Sequence, residues 1–342
     1  MTPINQRRLA NFRANKRGYY SLRIFMVLFG ITLFAEFIAN DKPIVFSMDG
    51  KLHFPVWFIY TEAELGGVME TEAEYRDPFV EALIDEKGWL LWPPLRFSYN
   101  TIDWDLEPPY PHPPDSEHLL GTAGGSTDVL AKLLYGFRLS VLFGVSLTII
   151  SSCIGILVGA SQGYFGGMVD LVGQRFVEIW NGLPVLFLLI ILASIVEPNV
   201  FWILGILALF SWMALVGLVR AEFLRARNFE FVRAARGLGV DSFTIMHRHV
   251  LPNAMVATLT YLPFILNTSI ASLTMLDFLG FGLPLDSPSL GRLLSTAKSN
   301  LQAPWIGLAV FITLAVMLIL LIFIGEAIRD ALDPRKTMAG QE

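Results

Sequence analysis

The chain has 342 residues, of which 54% are hydrophobic and only 16% are charged, and its formal net charge is −5. A water-soluble domain of this length would carry more charge, so the composition argues against a soluble protein and favours a polytopic membrane protein. The single cysteine, Cys153, lies within an apolar run, so neither a disulfide nor a thiolate metal site is expected.

Apolar runs of roughly 20 residues, the length that crosses the hydrocarbon core of a bilayer, predict the membrane spans. Four runs come near that length: residues 139–159, 201–219, 255–275 and 305–325. Two shorter runs, residues 24–38 and 183–196, reach it only with their flanks. The sequence therefore predicts an all-α protein with six transmembrane helices, of which residues 24–38 form the first.

The distribution of Arg and Lys predicts the orientation. Residues 1–23 contain six basic side chains and no acidic one, which places the N-terminus in the cytoplasm. No small-x-small site follows the first span, so a cleavable signal peptide is not expected. With six spans, the C-terminal tail (residues 326–342) and the basic segment 220–248 also lie in the cytoplasm.

Residues 39–136 form a long segment that this topology places in the periplasm. The segment has 17 acidic and six basic side chains, four of the eight tryptophans, and a second half rich in proline. Alternating aromatic patches such as residues 54–60 predict a small β-rich subdomain with proline-held loops. Two interpretations stay open: a docking surface for an extracytoplasmic partner, or a structural cap with aromatic side chains at the membrane interface.

Small residues are dense in the second span and its exit, residues 144–167. Because lipid tails are as apolar as Leu, membrane helices associate through the close backbone packing that small residues permit. Pro184 and Pro263 lie within or at the edge of spans, where broken or kinked helices are tolerated.

Several kinds of chemistry are not indicated. Apart from Glu36 near the end of the first span, the interiors of the six runs contain no Asp, Glu, Lys, Arg or His, which argues against proton- or sodium-coupled transport. The pair Gly50-Lys51 lacks the rest of a phosphate-binding loop. His247 and His249 are two residues apart on a helical segment, so they point in different directions and do not indicate a metal site. The sequence therefore indicates a pathway whose energy source lies in another subunit.

The segment between two spans, residues 220–254, is longer than a connection needs. Residues 220–248 carry six Arg against three acidic residues. Phe231, Ala234, Ala235 and Leu238 fall at helical spacing and predict an amphipathic surface helix. Gly239 ends that helix, and Leu251-Pro252 restarts the chain towards the next span. Such a helix, held at both ends by spans, is placed to transmit force from a partner.

This pattern resembles the cytoplasmic signature of permease subunits in binding-protein-dependent ABC importers. In that family the signature is Glu-Ala-Ala, three residues, Gly, and about a dozen positions later Leu-Pro. Here Arg233 stands in place of the Glu, followed by Ala234, Ala235 and Gly239, as is common in the oligopeptide and dipeptide branch. Further blocks resemble the same branch: EFVRAAR at 230–236, RHVLPN at 248–253, LDFLGFG at 276–282, PSLG at 288–291, APW at 303–305 and GEAIRDALDPR at 325–335.

Two departures mark the chain within the branch. Its permease domain usually opens with His-x-x-Gly-Thr-Asp-x-x-Gly-Arg-Asp, whereas this chain has HLLGTAGGSTD at 118–128 and lacks the first Asp and the Arg. The segment 39–136 is also longer than usual. Together they make the chain similar to the Yej-type peptide importers of enteric bacteria.

The resemblance implies a MetI-like permease core in residues 137–325. It implies a coupling helix that contacts an ATPase, with Arg233, Ala234, Ala235, Gly239, Leu251 and Pro252 as the coupling residues. The implied partners are a second permease subunit in a heterodimer, an ABC ATPase of two chains or one fused chain, a periplasmic peptide-binding protein and membrane lipid, with peptide as substrate and no nucleic acid. ATP would be bound by the partner, so no cofactor and no catalytic activity are expected of this chain.

Two other classes remain as alternatives. A membrane-embedded enzyme would need a cluster of catalytic polar residues near the bilayer. A channel or sensor would bind a ligand through residues 39–136 and would not depend on an ATPase.

Glu36 is interpreted as a residue that reaches the headgroups at the periplasmic surface.

Overall fold

The structure is a computed structural model, and it describes residues 3–193, 195–196, 199–284 and 286–332. Within these residues the α-helices are α1 (Pro3–Ala14), α2 (Lys16–Leu33), α3 (Pro78–Lys87), α4 (Val129–Phe165), α5 (Gly167–Asn181), α6 (Val185–Ala193), α7 (Val200–Ser211), α8 (Met213–Ala226), α9 (Glu230–Gly237), α10 (Ser242–Thr244), α11 (Leu251–Leu279), α12 (Leu290–Ser299) and α13 (Pro304–Leu332). The strands are β1 (Val45–Met48), β2 (Lys51–His53), β3 (Gly88–Leu91), β4 (Thr122–Ala123) and β5 (Thr127–Asp128). The chain divides into two compact units: a first unit of residues 1–26, 140–284 and 315–342, and a second unit of residues 27–139 and 285–314.

Four helical stretches of the described chain are long and apolar enough to cross a membrane. They are Val129–Phe165, Val200–Ala226, Ser242–Leu279 and Pro304–Leu332, and the four long apolar runs of the sequence lie within them. The number becomes five if the bent pair α5 and α6 is one span. The protein is therefore a predominantly helical polytopic membrane protein, as predicted.

The shorter runs take other forms. α2 begins at Lys16 and ends at Leu33, and a 3₁₀ turn follows at Ala35–Phe37. Because Lys16, Arg17 and Arg23 lie in its first half, α2 is not among the helices that qualify as spans by composition. The run 183–196 contributes α6, which meets α5 at a bend of 64°.

Three glycines spaced by four residues on α4 allow it to approach α8 closely: Gly155, Gly159 and Gly163. A Cβ atom at these positions would lie 2.6, 2.8 and 2.5 Å from the backbone carbonyl oxygens of Trp212, which immediately precedes α8, and of Val216 and Arg220 on α8, respectively. Separations this short are forbidden to real Cβ atoms, so only glycine permits this helix spacing. The prediction of close packing through small residues is confirmed here.

The core of the first unit joins four helices. One cluster of buried side chains comes from α4, α8, α9, α11 and the turn before α11: Ala160, Tyr164, Leu215, Val219, Phe223, Ala226, Val232, Ala235, Ile245, Val250, Ala254 and Ile265. The predicted coupling helix α9 is therefore packed onto the helices beside it.

The second unit contains a small mixed α/β layer. Strand β1 pairs antiparallel with β2 and β3, in the order β2-β1-β3. Helix α3 begins where the Asp77 carboxylate accepts a hydrogen bond from the Phe79 N–H at 2.8 Å, with Pro78 in the first turn. Phe46, Leu65 and Ile84 are fully buried in the core of this layer. Since the strands are short and most of residues 39–136 lies outside them, the segment is less β-rich than the sequence suggested.

Candidate functional site

Helix α9 ends in a Schellman motif at the residue that the sequence singled out. Gly239 has φ +77°, in the left-handed region. Its N–H donates to the Arg236 carbonyl at 3.1 Å, and the Val240 N–H donates to the Ala235 carbonyl at 3.1 Å. No atom lies within 4 Å of a Cβ built at Gly239, so backbone conformation alone requires glycine. The predicted helix break at Gly239 is confirmed.

The structure divides the apolar residues of α9 between a buried and an exposed face. Val232 and Ala235 are the buried residues, and Ala235 is only 8% exposed within the core of the first unit. Phe231, Ala234 and Leu238, which the helical spacing grouped with Ala235, are exposed instead. The physical reason is that this short helix has apolar residues on both faces, and the deeper core of α8 and α11 takes the Val232 side.

The outer face of the segment carries large apolar side chains in solvent. Leu238 is 84% exposed and Phe243 is 76% exposed. Phe231 and Ala234 are exposed beside them, and Phe243 stacks on the His247 ring at 6.2 Å between centroids. We call this group the outer apolar patch: Phe231, Ala234, Leu238 and Phe243. Such a patch on a helix held by a rigid core is typical of a protein-binding surface.

The segment that carries the patch also carries exposed basic side chains. Arg233, Arg236 and Arg248 are exposed, and within the described residues no carboxylate lies within 4 Å of them. The Arg236 guanidinium lies over the Tyr164 ring, 5.4 Å from its centroid. The surface is therefore both apolar and positively charged.

The chain leaves this surface through a widened helical turn. Asp241 caps α10 by accepting a hydrogen bond from the Thr244 N–H at 2.8 Å. Residues Ile245–Val250 then form a π-helix, in which the Leu251 N–H bonds to the Met246 carbonyl five residues back. Pro252 follows in the first turn of α11. Because proline cannot donate and its ring clashes with a carbonyl one turn back, a wider turn accommodates Leu251-Pro252.

An ion pair that the sequence did not indicate links α5 and α8. The Arg220 guanidinium binds the Asp170 carboxylate through two hydrogen bonds, of 2.5 and 2.7 Å. A bidentate arginine–carboxylate pair fixes both direction and distance. Since the two residues are 50 positions apart, no local pattern could have indicated it.

The block at 276–282 builds the C-terminal cap of α11. Asp277 is buried, and its Oδ1 accepts a hydrogen bond from the Leu283 N–H at 2.7 Å. Gly280 has φ +84° at the helix end, and a Cβ at Gly282 would lie 1.8 Å from Asp277 Oδ1. Both glycines are therefore required by the turn itself.

The block at 325–335 meets the N-terminal helices within the first unit. A Cβ at Gly18 would lie 2.0 Å from the Ala327 Cβ, and the Asn15 side-chain amide donates to the Asp330 carboxylate at 3.2 Å. Residues 333–335 of this block lie outside the described residues. The two ends of the described chain are therefore in contact.

The segment 118–128, which the sequence marked as a departure, forms a buried ionic cluster. His118 Nδ1 lies 2.8 Å from Asp128 Oδ2, and His118 Nε2 lies 3.2 Å from Asp103 Oδ2. Asp128 also accepts the Ala131 N–H at 2.7 Å through Oδ1, so it caps α4. Arg76 contacts Asp103 at 3.4 Å.

The carboxylates of Asp103 and Asp128 change the pKa of the His118 imidazole. Burial by itself lowers the pKa of His118, but the hydrogen bonds and charges of Asp128 and Asp103 outweigh it, so the pKa is raised. Both ring nitrogens face carboxylate oxygens, and only the imidazolium donates from both. The His118 N–H in turn holds the pKa of Asp115 below its ordinary value.

Glu36 also has a partner. The Arg138 guanidinium donates to both Glu36 carboxylate oxygens, at 2.8 and 2.7 Å, and lies 4.9 Å from the centroid of the Tyr135 ring. The Tyr135 hydroxyl donates to the Ala39 carbonyl at 3.0 Å. Glu36 therefore forms an ion pair within the second unit, and its position at the level of the headgroups stays a prediction.

The second unit also has an acidic cleft of about 470 Å³. Six of its lining residues are acidic: Asp41, Glu72, Glu74, Asp77, Asp103 and Asp105. Lys42 and Arg76 are its basic residues. Among the described residues no group of three or more His, Cys, Asp and Glu could hold a metal ion.

Comparison with known proteins gives a consistent result. Residues 151–338 match the family described as "Binding-protein-dependent transport system inner membrane component". The chain is 56% identical over 338 residues, 99% of both chains, to "Inner membrane ABC transporter permease protein YejE" of Escherichia coli K12. It is 52% identical over 360 residues to "Peptidoglycan transport system permease protein YejE" of Agrobacterium fabrum, covering 98% of this chain and 94% of the relative.

A solved structure has the same fold. The methionine ABC transporter MetNI in an inward-facing conformation contains a chain that aligns with a TM-score of 0.50 and 17% identity, over 60% of this chain and 97% of that one. The expected MetI-like core is confirmed at the level of fold, and so is the resemblance to Yej-type permeases.

Proposed function

The chain belongs to the family of binding-protein-dependent transport system inner membrane components, and from this premise we propose that it is a permease subunit of an ATP-driven peptide importer. Its family makes it a multi-pass protein of the inner membrane and a transport component rather than an enzyme. With a second permease it forms the path for peptides that a periplasmic binding protein delivers.

The observation that carries the proposal is the two-sided construction of α9. Val232 and Ala235 attach the helix to a core shared with α4, α8 and α11. Leu238 and Phe243 face outward with almost no cover. A partner that binds the outer apolar patch therefore acts on four helices at once, and an ATPase that changes shape with ATP is such a partner.

The coupling residues then take separate roles. Ala234 and Arg233 lie on the outer face and contact the ATPase. Ala235 anchors the helix to its own core, and Gly239 turns the chain out of the binding surface. Leu251 and Pro252 set the wide turn that leads into α11. ATP is bound by the ATPase, so this chain needs no cofactor.

We assign six spans, with residues 24–38 as the first and the bent pair α5 and α6 as the third. Residues 1–23 and 326–342 are cytoplasmic, residues 39–136 are periplasmic, and the permease core is 137–325 with its coupling loop at 220–254. The basic N-terminus supports this orientation. The Asn15–Asp330 contact is consistent with it, because both residues must lie on one side of the membrane.

The substrate class is inferred from the relative that is a peptidoglycan transport permease and from the sequence blocks that resemble the oligopeptide and dipeptide branch. Peptides, whether free or derived from peptidoglycan, share an extended amide backbone. The apolar runs of the sequence, which are almost free of charged residues, suit a passage with low affinity for such substrates.

The test is to tag the C-terminus of the chain, extract it in mild detergent from its host, and identify the proteins that accompany it. We expect an ATP-binding subunit, as two chains or one fused chain, and a second permease. Recovery of the chain alone under gentle conditions would contradict the proposal. A Leu238→Asp variant that loses only the ATPase would place the contact on the outer apolar patch.

A further inference from the structure

An apolar face of α2 continues beyond the end of the helix. Val27, Ile31 and Leu33 are exposed on α2, and Phe34 is exposed immediately after it. Large apolar side chains in this density need an apolar surrounding, which a bilayer supplies.

A series of aromatic rings extends this face from α2 to the segment that follows it. All of these residues belong to the second unit. The Phe34 and Phe37 rings lie 6.4 Å apart between centroids, and the Phe37 and Trp57 rings lie 5.7 Å apart at an edge-to-face angle. Phe54 and Trp57 lie 5.8 Å apart. The series is a continuous apolar surface that ends at residues 54–60, which we call the aromatic loop.

The aromatic loop is rigid and points its side chains outward. The Trp57 and Phe58 N–H groups both donate to the Phe54 carbonyl, at 3.1 and 3.0 Å, which closes one turn. The Phe54 N–H donates to the Tyr60 hydroxyl at 3.3 Å, and Tyr60 packs on Phe46 in the core. This fixed base leaves Trp57, Phe58 and Ile59 at 64%, 60% and 72% exposure.

Charge distinguishes this loop from the rest of the segment. No acidic or basic residue occurs between His53 and Glu62, although residues 39–136 contain 17 acidic residues. Trp and Phe exposed beside the end of a membrane helix occupy the headgroup region, where an aromatic ring has both polar and apolar surroundings. We propose that the aromatic loop is a membrane anchor, which inserts Trp57, Phe58 and Ile59 into the periplasmic leaflet and fixes the second unit to the lipid surface.

This inference rests on the proposed first span, so its test includes a label on that span. In a Cys153→Ser background, single cysteines replace Ile59, Ile102 or Val27 in the full chain, and each carries an environment-sensitive fluorophore. Ile102 is the matched control, because it is an exposed isoleucine of the same unit that lines the acidic cleft. The chain is placed in nanodiscs of phosphatidylethanolamine and phosphatidylglycerol with nitroxide-labelled lipid.

We expect nitroxide lipid to quench the labels at residues 59 and 27 and to spare the label at residue 102. Adding Trp57→Asp and Phe58→Asp should remove the quenching at residue 59 and leave that at residue 27. Quenching at 27 without quenching at 59 overturns the anchor and leaves the proposed function standing. Quenching at neither position overturns both the anchor and the first span.

A neutral aqueous quencher separates the remaining cases. If it reaches the label at residue 59 as well as the label at residue 102, the loop lies in water and the anchor is wrong. If neither lipid nor aqueous quencher reaches residue 59, a protein covers the loop, and the proposal of a lipid surface is again overturned.

Discussion

His118 and Asp128 form a buried pair in which the imidazole Nδ1 lies 2.8 Å from the carboxylate Oδ2 and neither side chain is exposed. The other oxygen of Asp128 caps α4 through the Ala131 N–H. One carboxylate thus joins the segment before β4 to the first turn of a 37-residue helix.

The pair predicts a pH-dependent stability. Because the folded-state pKa of His118 is raised, its stabilisation is complete below the ordinary pKa and is lost as pH rises through the raised value. We expect faster hydrogen exchange in residues 100–131 above neutral pH, after correction for intrinsic exchange. Asp128→Asn should lower the His118 pKa, whereas Asp105→Asn should leave it unchanged, as measured by NMR of histidine-labelled protein. A His118 pKa below its ordinary value would contradict the assignment.

The buried cluster also predicts the cost of removing one partner. Asp128→Ala leaves the His118 imidazolium with an unpaired nitrogen and removes the cap of α4. We expect a loss of about 3–5 kcal/mol in the free energy of unfolding. A thermal melt in detergent checks this, with exposed Glu117→Ala as the control that should melt like the parent.

Substitutions on the two faces of α9 should have different effects. Leu238→Asp places a charge on the outer apolar patch, so we expect roughly tenfold or greater weakening of ATPase binding at unchanged thermal stability. Ala235→Glu buries a charge in the core of the first unit, so it should lower stability and yield as well. Copurification and a thermal melt distinguish the two outcomes, and Leu238→Met serves as the conservative control. Intact peptide uptake with Leu238→Asp would remove the coupling role of the patch.

The glycine ridge of α4 gives a packing prediction. Gly159→Leu forces a side chain into the space occupied by the Val216 carbonyl, so we expect about 1–3 kcal/mol of destabilisation. Gly217→Leu on α8 is the matched control, since nothing lies within 4 Å of its Cβ position. Equal melting temperatures for the two variants would show that the close approach is not required.

The Glu36–Arg138 pair can be tested by exchange of charges. Glu36→Arg or Arg138→Glu alone creates repulsion between like charges, so each should reduce stability by about 1–2 kcal/mol. The double variant restores an attractive pair and should recover part of the loss. Additive losses in a double-mutant cycle would mean that the two side chains do not interact.

Much of the helical architecture could be predicted because apolar runs and glycine are local signals. The four long runs lie in long helices, and Gly239 ends α9 as predicted, since a positive φ is a property of one residue. Which side of α9 is buried could not be predicted from such local signals. Phe231 and Val232 are adjacent and both apolar, and only the core beneath the helix decides that Val232 is buried.

The ionic contacts could not be predicted for a different reason. Glu36 and Arg138 are 102 residues apart, and Asp103 approaches His118 from a loop with no regular structure. Two residues so far apart in the chain produce no periodic pattern that a single sequence could show. The sequence did single out residues 118–128, but as a departure from a family pattern, and it did not indicate that His118 and Asp128 would meet.

The contact between α4 and α8 has a mechanical consequence. Side chains can absorb a displacement by changing rotamer, whereas the glycines of α4 lie directly against the peptide groups of α8. If the ATPase binds at Leu238 as proposed, a displacement there would reach α8 through Val232 and Ala235, and would reach α4 through the direct contact of its glycines with the backbone of α8.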